Sequence, residues 1–399
     1  MANFRHFSDT FIASKAWEPA ETNYSVFMDI IIGLDIGGTN SRAVIARVEN
    51  GILTSPPNPP EFVSEKVASK KELEGFVRGL MGNLKGVARP IGMAVALAGP
   101  IARQQVTMTN WREPKNITVE EFIAWGSPVD RTVLVNDMEA GCHGLVKHLR
   151  EDKTASIHFE ALKASSHEIP GGNRVFIAPG TGLGAAGIIE IERTAKEITG
   201  KSTHPLAFPI AAELQHTPMP ISRETHRIVS TWLQREQHIS HPSWDDFVSG
   251  RGLAHTYRAL RSAASASGPD ITLGVSDPAA AVAESGAMGR DPVAKQALSV
   301  FYTCLGHFCQ IMALGFQASG GVFIGGTSTI RNRDFIENSP LLDAFLDNPA
   351  QSALLDRFPV YLVKKTDLNL DGALWLGLDA AKEHASEAAP WISPLVRKS

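Results

Sequence analysis

The stretch Asp35-Ile36-Gly37-Gly38-Thr39-Asn40 constrains the fold more than any other part of this chain. Before it runs an apolar, β-branched segment, residues 29–35 (DIIIGLD), and after it a second, residues 42–48 (RAVIARV). Two buried strands around Gly-Gly predict a β-hairpin with a carboxylate at the end of its first strand. Glycines in such a turn let backbone N–H groups approach a phosphate closely, and the Thr39 hydroxyl adds a donor. Asp35 is then placed to hold Mg²⁺ through water, because Mg²⁺ usually keeps part of its hydration shell. An ordinary hairpin turn accounts for the same residues, so this stretch alone leaves both readings open.

A second glycine-rich turn follows another strand. Residues 174–178 (RVFIA) lead into Pro179-Gly180-Thr181-Gly182-Leu183-Gly184, and residues 186–192 (AGIIEIE) follow. The spacing Gly182-x-Gly184-x-x-Gly187 matches the dinucleotide fingerprint, which must open a helix. Here it opens a β-branched, alternating segment, so the dinucleotide reading is rejected. Strand, glycine turn and strand repeat the arrangement at Asp35, and two such turns suit a cleft that grips a triphosphate from two sides. Gly200-Lys201-Ser202 ends like a P-loop, but Ala195 stands where that motif needs its first glycine.

The remaining pattern alternates. Residues 56–60 (PPNPP) form a surface loop, residues 66–84 a helix and residues 91–97 (IGMAVAL) a buried strand. A short strand, residues 133–135, runs into Asn136-Asp137 and a helix beginning near Glu139. Residues 223–314 are helix-rich, with breaks at Gly250 and Gly252 and between Gly268 and Gly274. Strands at 321–324 (GVFI) and 360–363 (VYLV) precede a closing helix at 371–385. This pattern indicates an α/β fold, and 399 residues exceed one comfortable core, so two lobes are expected.

Composition narrows the function classes. A chain 43% hydrophobic and 20% charged, with net charge −4, offers no electrostatic case for nucleic acid or a membrane surface. No stretch approaches about 18 uninterrupted apolar residues. Three cysteines (Cys142, Cys304, Cys309) without CxxC spacing argue against a disulfide framework or a structural zinc site, and fit a reducing, cytoplasmic setting. Residues 1–27 lack the apolar region of a secretory signal and carry acidic residues, so they are read as an N-terminal arm or an overlong start assignment.

Several segments together resemble one family. IIGLDIGGTNSR and APGTGLGAAG look like the two phosphate motifs of the actin-like ATPase and sugar-kinase superfamily. VTMTNW (106–111), VLVNDMEAG (133–141), AELQH (212–216), VSGRGLAHTYRAL (248–260) and GGVFIGG (320–326) resemble, in order, segments of bacterial-type glucokinases. APGTGLG and KKTDLNLDGALWLGLD are also similar to the divergent glucokinases of some unicellular eukaryotes. The resemblance runs from about Met28 to Ala381.

It implies a two-lobed hexokinase-like fold (actin-like ATPase, ribonuclease H-like) with a cleft between the lobes. Residues 28–135 with about 372–399 would form the small lobe and 136–371 the large one. It also implies glucose as substrate, ATP with Mg²⁺, and a homodimer. On the family pattern Asn136 and Asp137 correspond to the sugar-binding Asn and the catalytic Asp, Glu213 and His216 to the pair that binds sugar hydroxyls, and Asn110 to a neighbour of the sugar site. Ile36 through Asn40, with Gly180, Thr181, Gly182 and Gly184, correspond to phosphate contacts, and Gly325, Gly326 and Thr327 to the adenosine motif. The family has Glu-Gly-Gly-His where this chain has Glu213-Leu214-Gln215-His216, and Asp245 stands where a glutamate is expected, which bears on strictness for glucose.

Each position has an ordinary alternative. Asp137 would serve as an N-cap for the following helix, although phosphoryl transfer needs a group that removes the acceptor proton. Glu213 and His216 share the ExxH spacing of di-iron bundles, but those need a second ExxH on helices, and Pro205, Pro209, Pro218 and Pro220 surround this one. A surface loop is the plainer alternative. Trp111 is expected in the core. Rival functions are a related hexose or amino-sugar kinase, a ROK-type kinase or repressor, and a non-catalytic sugar sensor. The ROK zinc motif is missing between Cys142 and Cys304, and a sensor needs no base.

Overall fold

The runs flanking Gly37 pair antiparallel as β1 (Met28–Ile36) and β2 (Ser41–Glu49), in register from Ile30 opposite Arg47 to Ile36 opposite Ser41. The structure, a computed structural model, describes residues 28–37, 41–54, 63–108, 111, 115–150, 155, 157–165, 172–191 and 205–383. The expected arm at 1–27, the PPNPP loop, Gly38, Thr39, Asn40, Asn110 and Gly200-Lys201-Ser202 lie outside the described residues.

β3 (Ile52–Thr54) and β4 (Val63–Glu65) pair with β2, and β5 (Ala88–Leu97) runs parallel to β1. A small antiparallel sheet of β6 (Ile101–Ala102), β7 (Gln105–Thr107) and β8 (Asn116–Thr118) follows, and β9 (Thr132–Asn136) lies parallel to β5. Helices α1 (Lys70–Leu84) and α2 (Val119–Ala124) belong to this first half. Its core buries Ile32, Leu34, Phe76, Met93, Trp111 and Phe122 among others.

Helix α3 (Asp137–Arg150) leads to the second sheet, made of β10 (Phe159–Lys163), β11 (Arg174–Pro179), β12 (Leu183–Ile191), β13 (Leu206–Ala212), β14 (Gly321–Ile324) and β15 (Val360–Val363). The strand orders β3-β2-β1-β5-β9 and β13-β12-β11-β14-β15 have the same logic. In each, an antiparallel meander lies on one side of a first strand and two parallel strands lie on the other. Strand-to-strand parallel connections need crossovers, and helices fill those here. Pro209 is tolerated because β13 is an edge strand.

Between β13 and β14 pack α4 (Glu224–Glu236), α5 (Gly250–Ala263), α6 (Pro278–Ala287) and α7 (Pro292–Phe316). Gly250 and Gly252, expected as a break, lie in the first turn of α5. Ser249 caps that turn by accepting the Gly252 N–H at 3.0 Å, and a Cβ on Gly252 would stand 2.6 Å from the Asp246 carbonyl. α7 is long and apolar enough to cross a membrane by length and composition, although Lys295, Gln296 and Gln310 interrupt its apolar run. Most of it is buried: Tyr302, Leu305, Phe308 and Met312 fill the second core. Truncating one such aromatic side chain costs about 3–5 kcal/mol.

Short helices α8 (Thr327–Arg331), α9 (Arg333–Glu337), α10 (Leu341–Leu346) and α11 (Ser352–Leu355) precede β15, and α12 (Leu368–Glu383) follows it. α12 starts three residues before the expected 371. It returns to the first sheet, burying Leu370, Leu374 and Leu378 against Ile31 and Val44. α3 does the reverse, burying Met138, Cys142 and Leu145 against Phe176 and Ile188 of the second sheet. The two helices also pack on each other. Small residues allow this: a Cβ on Gly372 would overlap the Ala140 carbonyl, and one on Gly144 the Leu368 carbonyl.

Candidate active site

The C-terminal ends of the parallel strands in the first sheet meet the second half of the chain. Ile36 of β1, Leu97 of β5 and Asn136 of β9 lie in one row across the sheet. Asp35 is therefore two strands from Asn136, at the edge where α/β sheets bind ligands.

Asn136 and Asp137 divide the work, and the N-cap alternative to the expected role of Asp137 does not hold. The capping role falls to Asn136, whose Oδ1 accepts the N–H groups of Met138 at 2.9 Å and Glu139 at 3.3 Å. Its Nδ2 donates to the Gly99 carbonyl at 3.1 Å, which leaves one amide N–H for a ligand. Asp137 is the first residue of α3, not its cap. Its carboxylate accepts the Met138 N–H at 2.9 Å. Burial pushes its pKa up to about 7, the neighbouring Asp35 and Glu213 charges add to the rise, and the Met138 N–H opposes it. Glu139 in the same turn is pushed up to about 6 by burial.

Glu213 follows β13, whose hairpin with β12 packs on α3, so the carboxylate lies within electrostatic reach of Asp137. A 3₁₀ turn, Leu214–His216, carries its neighbours. Gln215 Nε2 donates to Glu213 Oε2 at 2.8 Å, and His216 Nε2 lies 3.4 Å from the same oxygen. Asp245 sits behind this turn. Its N–H donates to the Gln215 carbonyl at 3.0 Å, its Oδ1 accepts the Leu183 N–H at 2.6 Å, and its Oδ2 accepts Arg251 at 2.7 Å. Asp245 thus joins the glycine turn to the Glu213 segment with both carboxylate oxygens engaged.

The second glycine turn, residues 180–182, links β11 to β12 with Pro179 opposite Leu183. The Gly180 carbonyl accepts the Gly250 N–H at 2.8 Å, which docks the start of α5 on the turn, while the Gly180 N–H donates to Gly182. Gly184 has a packing reason as well: a Cβ there would collide with the Met138 thioether, next to Asp137. Gly325 and Gly326 lie beside this turn. The Gly325 N–H donates to Ile177 at 2.8 Å, and Gly326, at φ +96°, lies so close to the Pro179 carbonyl that a side chain is excluded. Thr327 is exposed at the start of α8. The structure therefore brings together Asp35, Asn136, Asp137, Glu213 and His216, and Gly180–Gly182 with Gly325–Thr327. Asp245, expected at the sugar, instead ties the glycine turn to the Glu213 segment with both carboxylate oxygens engaged.

Two arginines escaped the sequence reading. Arg42 stands opposite Asp35 in the β1–β2 register and donates to Asp35 Oδ2 at 2.7 Å and to Asp367 Oδ1 at 2.6 Å. The hairpin register would have found the first contact; the second depends on tertiary structure. Arg251 pairs with Asp245 while half of its side chain stays exposed beside the glycine turn.

Comparison with known proteins agrees with this geometry. The glucokinase family profile matches residues 32–379. A glucokinase of Mesorhizobium japonicum is 30% identical over 344 residues, 86% of this chain and 90% of its own. A glucokinase of Cupriavidus metallidurans is 28% identical over 82% of this chain and 87% of its own. Among solved structures, glucokinase of Balamuthia mandrillaris in complex with glucose superposes with a TM-score of 0.73 at 22% identity, over 88% of this chain and 94% of that one. A ROK family glucokinase of Streptomyces griseus in complex with glucose and AMPPNP gives 0.54 at 19% identity, over 88% and 99%. These two establish the two-lobed hexokinase-like fold. A profile spanning most of the chain, with a relative at 30% identity over most of both lengths, gives the family: this chain belongs to the glucokinases, ATP-dependent hexose kinases.

Proposed function

We propose that this glucokinase transfers the γ-phosphate of ATP to the 6-hydroxyl of glucose, the step that brings glucose into glycolysis, with Asp137 as the general base. The observation that carries this reading is Asp137 itself. Asn136 takes over the capping, so the Asp137 carboxylate is left for other chemistry, and a pKa near 7 suits a base that works at neutral pH. A sugar sensor would have no use for such a group.

On this reading Asn136, Glu213 and His216, with Asn110, bind sugar hydroxyls. The turns at residues 36–40 and 180–184 hold the phosphates, and Gly325, Gly326 and Thr327 hold the adenosine. Among the described residues no three His, Cys, Asp or Glu side chains group to cage a metal. That donor set fits Mg²⁺ held mostly by phosphate oxygens and water, with Asp35 reaching it through water. Bound there, the ion would neutralise phosphate charge. The lobe division at residues 28–135 with 372–383, against 136–371, is supported by α12 packing on the first sheet and α3 on the second. A cytoplasmic homodimer completes the proposal, the three buried thiols suiting a reducing compartment.

An ADP-release assay over glucose, mannose, fructose, glucosamine and N-acetylglucosamine tests it. Glucose should give the highest kcat/KM. Absence of hexose-stimulated ADP release with all five would overturn the kinase reading, and preference for an amino sugar would move the substrate to the alternative.

A further inference from the structure

The sugar side of the site departs from the resembled pattern at Leu214-Gln215 and at Asp245, and the structure connects Gln215 with Asp245. Gln215 stands where the resemblance has glycine, and it is only 5% exposed. Its amide is oriented by chemistry: the Glu213 carboxylate accepts, so the Nε2 side must face it, as it does at 2.8 Å. The Oε1 side then points elsewhere. It is buried, and among the described residues nothing donates to it. Buried acceptors in folded proteins are nearly always satisfied, so an amide oxygen held this way is suited to a donor that arrives with a ligand. Its position is fixed from behind, because the Gln215 carbonyl accepts the Asp245 N–H at 3.0 Å.

Asp245 is turned away from this point. Leu183 and Arg251 engage its two carboxylate oxygens, and it faces the glycine turn. The unfilled acceptor next to Glu213 is therefore the buried amide oxygen of Gln215, whereas both Asp245 carboxylate oxygens are taken.

We propose that Gln215 determines specificity in the hexose site: its amide N–H fixes the Glu213 carboxylate, and its amide oxygen accepts a hydrogen bond from one sugar hydroxyl. The inference rests on the hexose site proposed above. Asp245 in turn is a positioning residue, holding the Gln215 segment against the glycine turn.

The test is Gln215→Leu, which keeps the volume and removes both polar groups, with Gln215→Asn as a second variant that keeps both groups on a shorter stem. Equilibrium binding of glucose and of its 1-, 2-, 3- and 4-deoxy analogues is measured calorimetrically without ATP, alongside steady-state kinetics. Removing one hydrogen bond and leaving its partner unpaired should weaken glucose binding about 5- to 100-fold in Gln215→Leu, with the loss falling on KM more than on kcat. For one deoxy analogue the penalty of Gln215→Leu should be clearly the smallest, because the hydroxyl that Gln215 meets is already gone and only the lost Glu213 contact remains. Gln215→Asn should show a smaller loss for the same hydroxyl. An equal penalty across glucose and every deoxy analogue would make Gln215 a mere strut and overturn the proposal, as would unchanged glucose affinity. Wild-type protein without hexose-dependent ADP release would instead sink the kinase reading, so the two failures are distinguishable.

Discussion

Replacing Asp137 by asparagine separates the electrostatic origin of its pKa from its chemical role. Burial, then the charges of Asp35 and Glu213, lift this carboxyl from 3.8 to about 7. A carboxyl whose folded pKa exceeds its unfolded one holds its proton more tightly in the folded state. Between about pH 4 and pH 7 the folded protein therefore binds more protons than the unfolded chain, and stability falls as pH rises through that window. At about 1.36 kcal/mol per pH unit the loss reaches about 1.6 kcal/mol at pH 5 and about 4 kcal/mol at pH 8. These are upper bounds, because Asp137 keeps partial access to solvent. Asparagine is nearly isosteric, carries no charge, and retains an oxygen for the Met138 N–H. Asp137→Asn should therefore be more stable than the wild-type protein, with a gain at pH 8 more than twice that at pH 5. Turnover should fall about 10²- to 10⁴-fold. Urea unfolding at the two pH values, with coupled ADP release on the same preparations, reads both effects. In the wild-type enzyme kcat/KM should rise with pH through about 7 as the base deprotonates. A stability gain equal at pH 5 and pH 8 refutes the electrostatic reasoning, and near-normal turnover refutes the base.

Arg42→Gln removes the guanidinium from Asp35 and Asp367, which should cost about 1–3 kcal/mol and leave the Asp35 charge uncompensated beside Asp137. The acid limb of the kcat/KM profile should then move to higher pH, and an unmoved limb would show that Arg42 does not screen Asp35 from the base. Gly372→Ala places a methyl on the Ala140 carbonyl at the α3–α12 crossing, so a loss of about 1–3 kcal/mol should outweigh the gain of up to about 1 kcal/mol in helix propensity. Gly315→Ala, with open space around its Cβ, should show only the propensity gain, and equal melting temperatures for the two variants would contradict the packing argument.

Where a local pattern is decisive, the sequence was legible. The hairpin around Gly37 and the strand–turn–strand around Gly182 follow from β-branched runs broken by glycine, and the rejected dinucleotide reading agrees with β12 continuing as a strand through Gly184 and Gly187. Capping was harder to read. Asn and Asp are equally good caps, and only the position of the first helical residue assigned the cap to Asn136 and left Asp137 free. Gly250 and Gly252 looked like breakers because glycine is poor inside a helix, yet close approach to Asp246 and Phe247 requires a small residue in that first turn. Contacts across long sequence separation left no local trace: Arg42 with Asp367, Asp245 with Leu183, and Asp245 with Gln215 all depend on tertiary structure.

These distant contacts also place the site at the joint between the two sheets. α3 carries Asp137 at its first residue and is packed on the second sheet, whereas α12 is packed on the first. The two helices cross at Gly144 and Gly372, with backbones too close to slide without steric conflict. Arg42 ties Asp35, at the end of the first strand, to Asp367, the residue before α12. Rotation of one sheet against the other must therefore pass through the helix crossing. That crossing sits next to the base and to the carboxylate that raises its pKa. Asp137 thus takes its backbone position from β9 of the first sheet and its packing from the second, so the base and the Asp35 charge that raises its pKa are held by the same residues that join the two sheets.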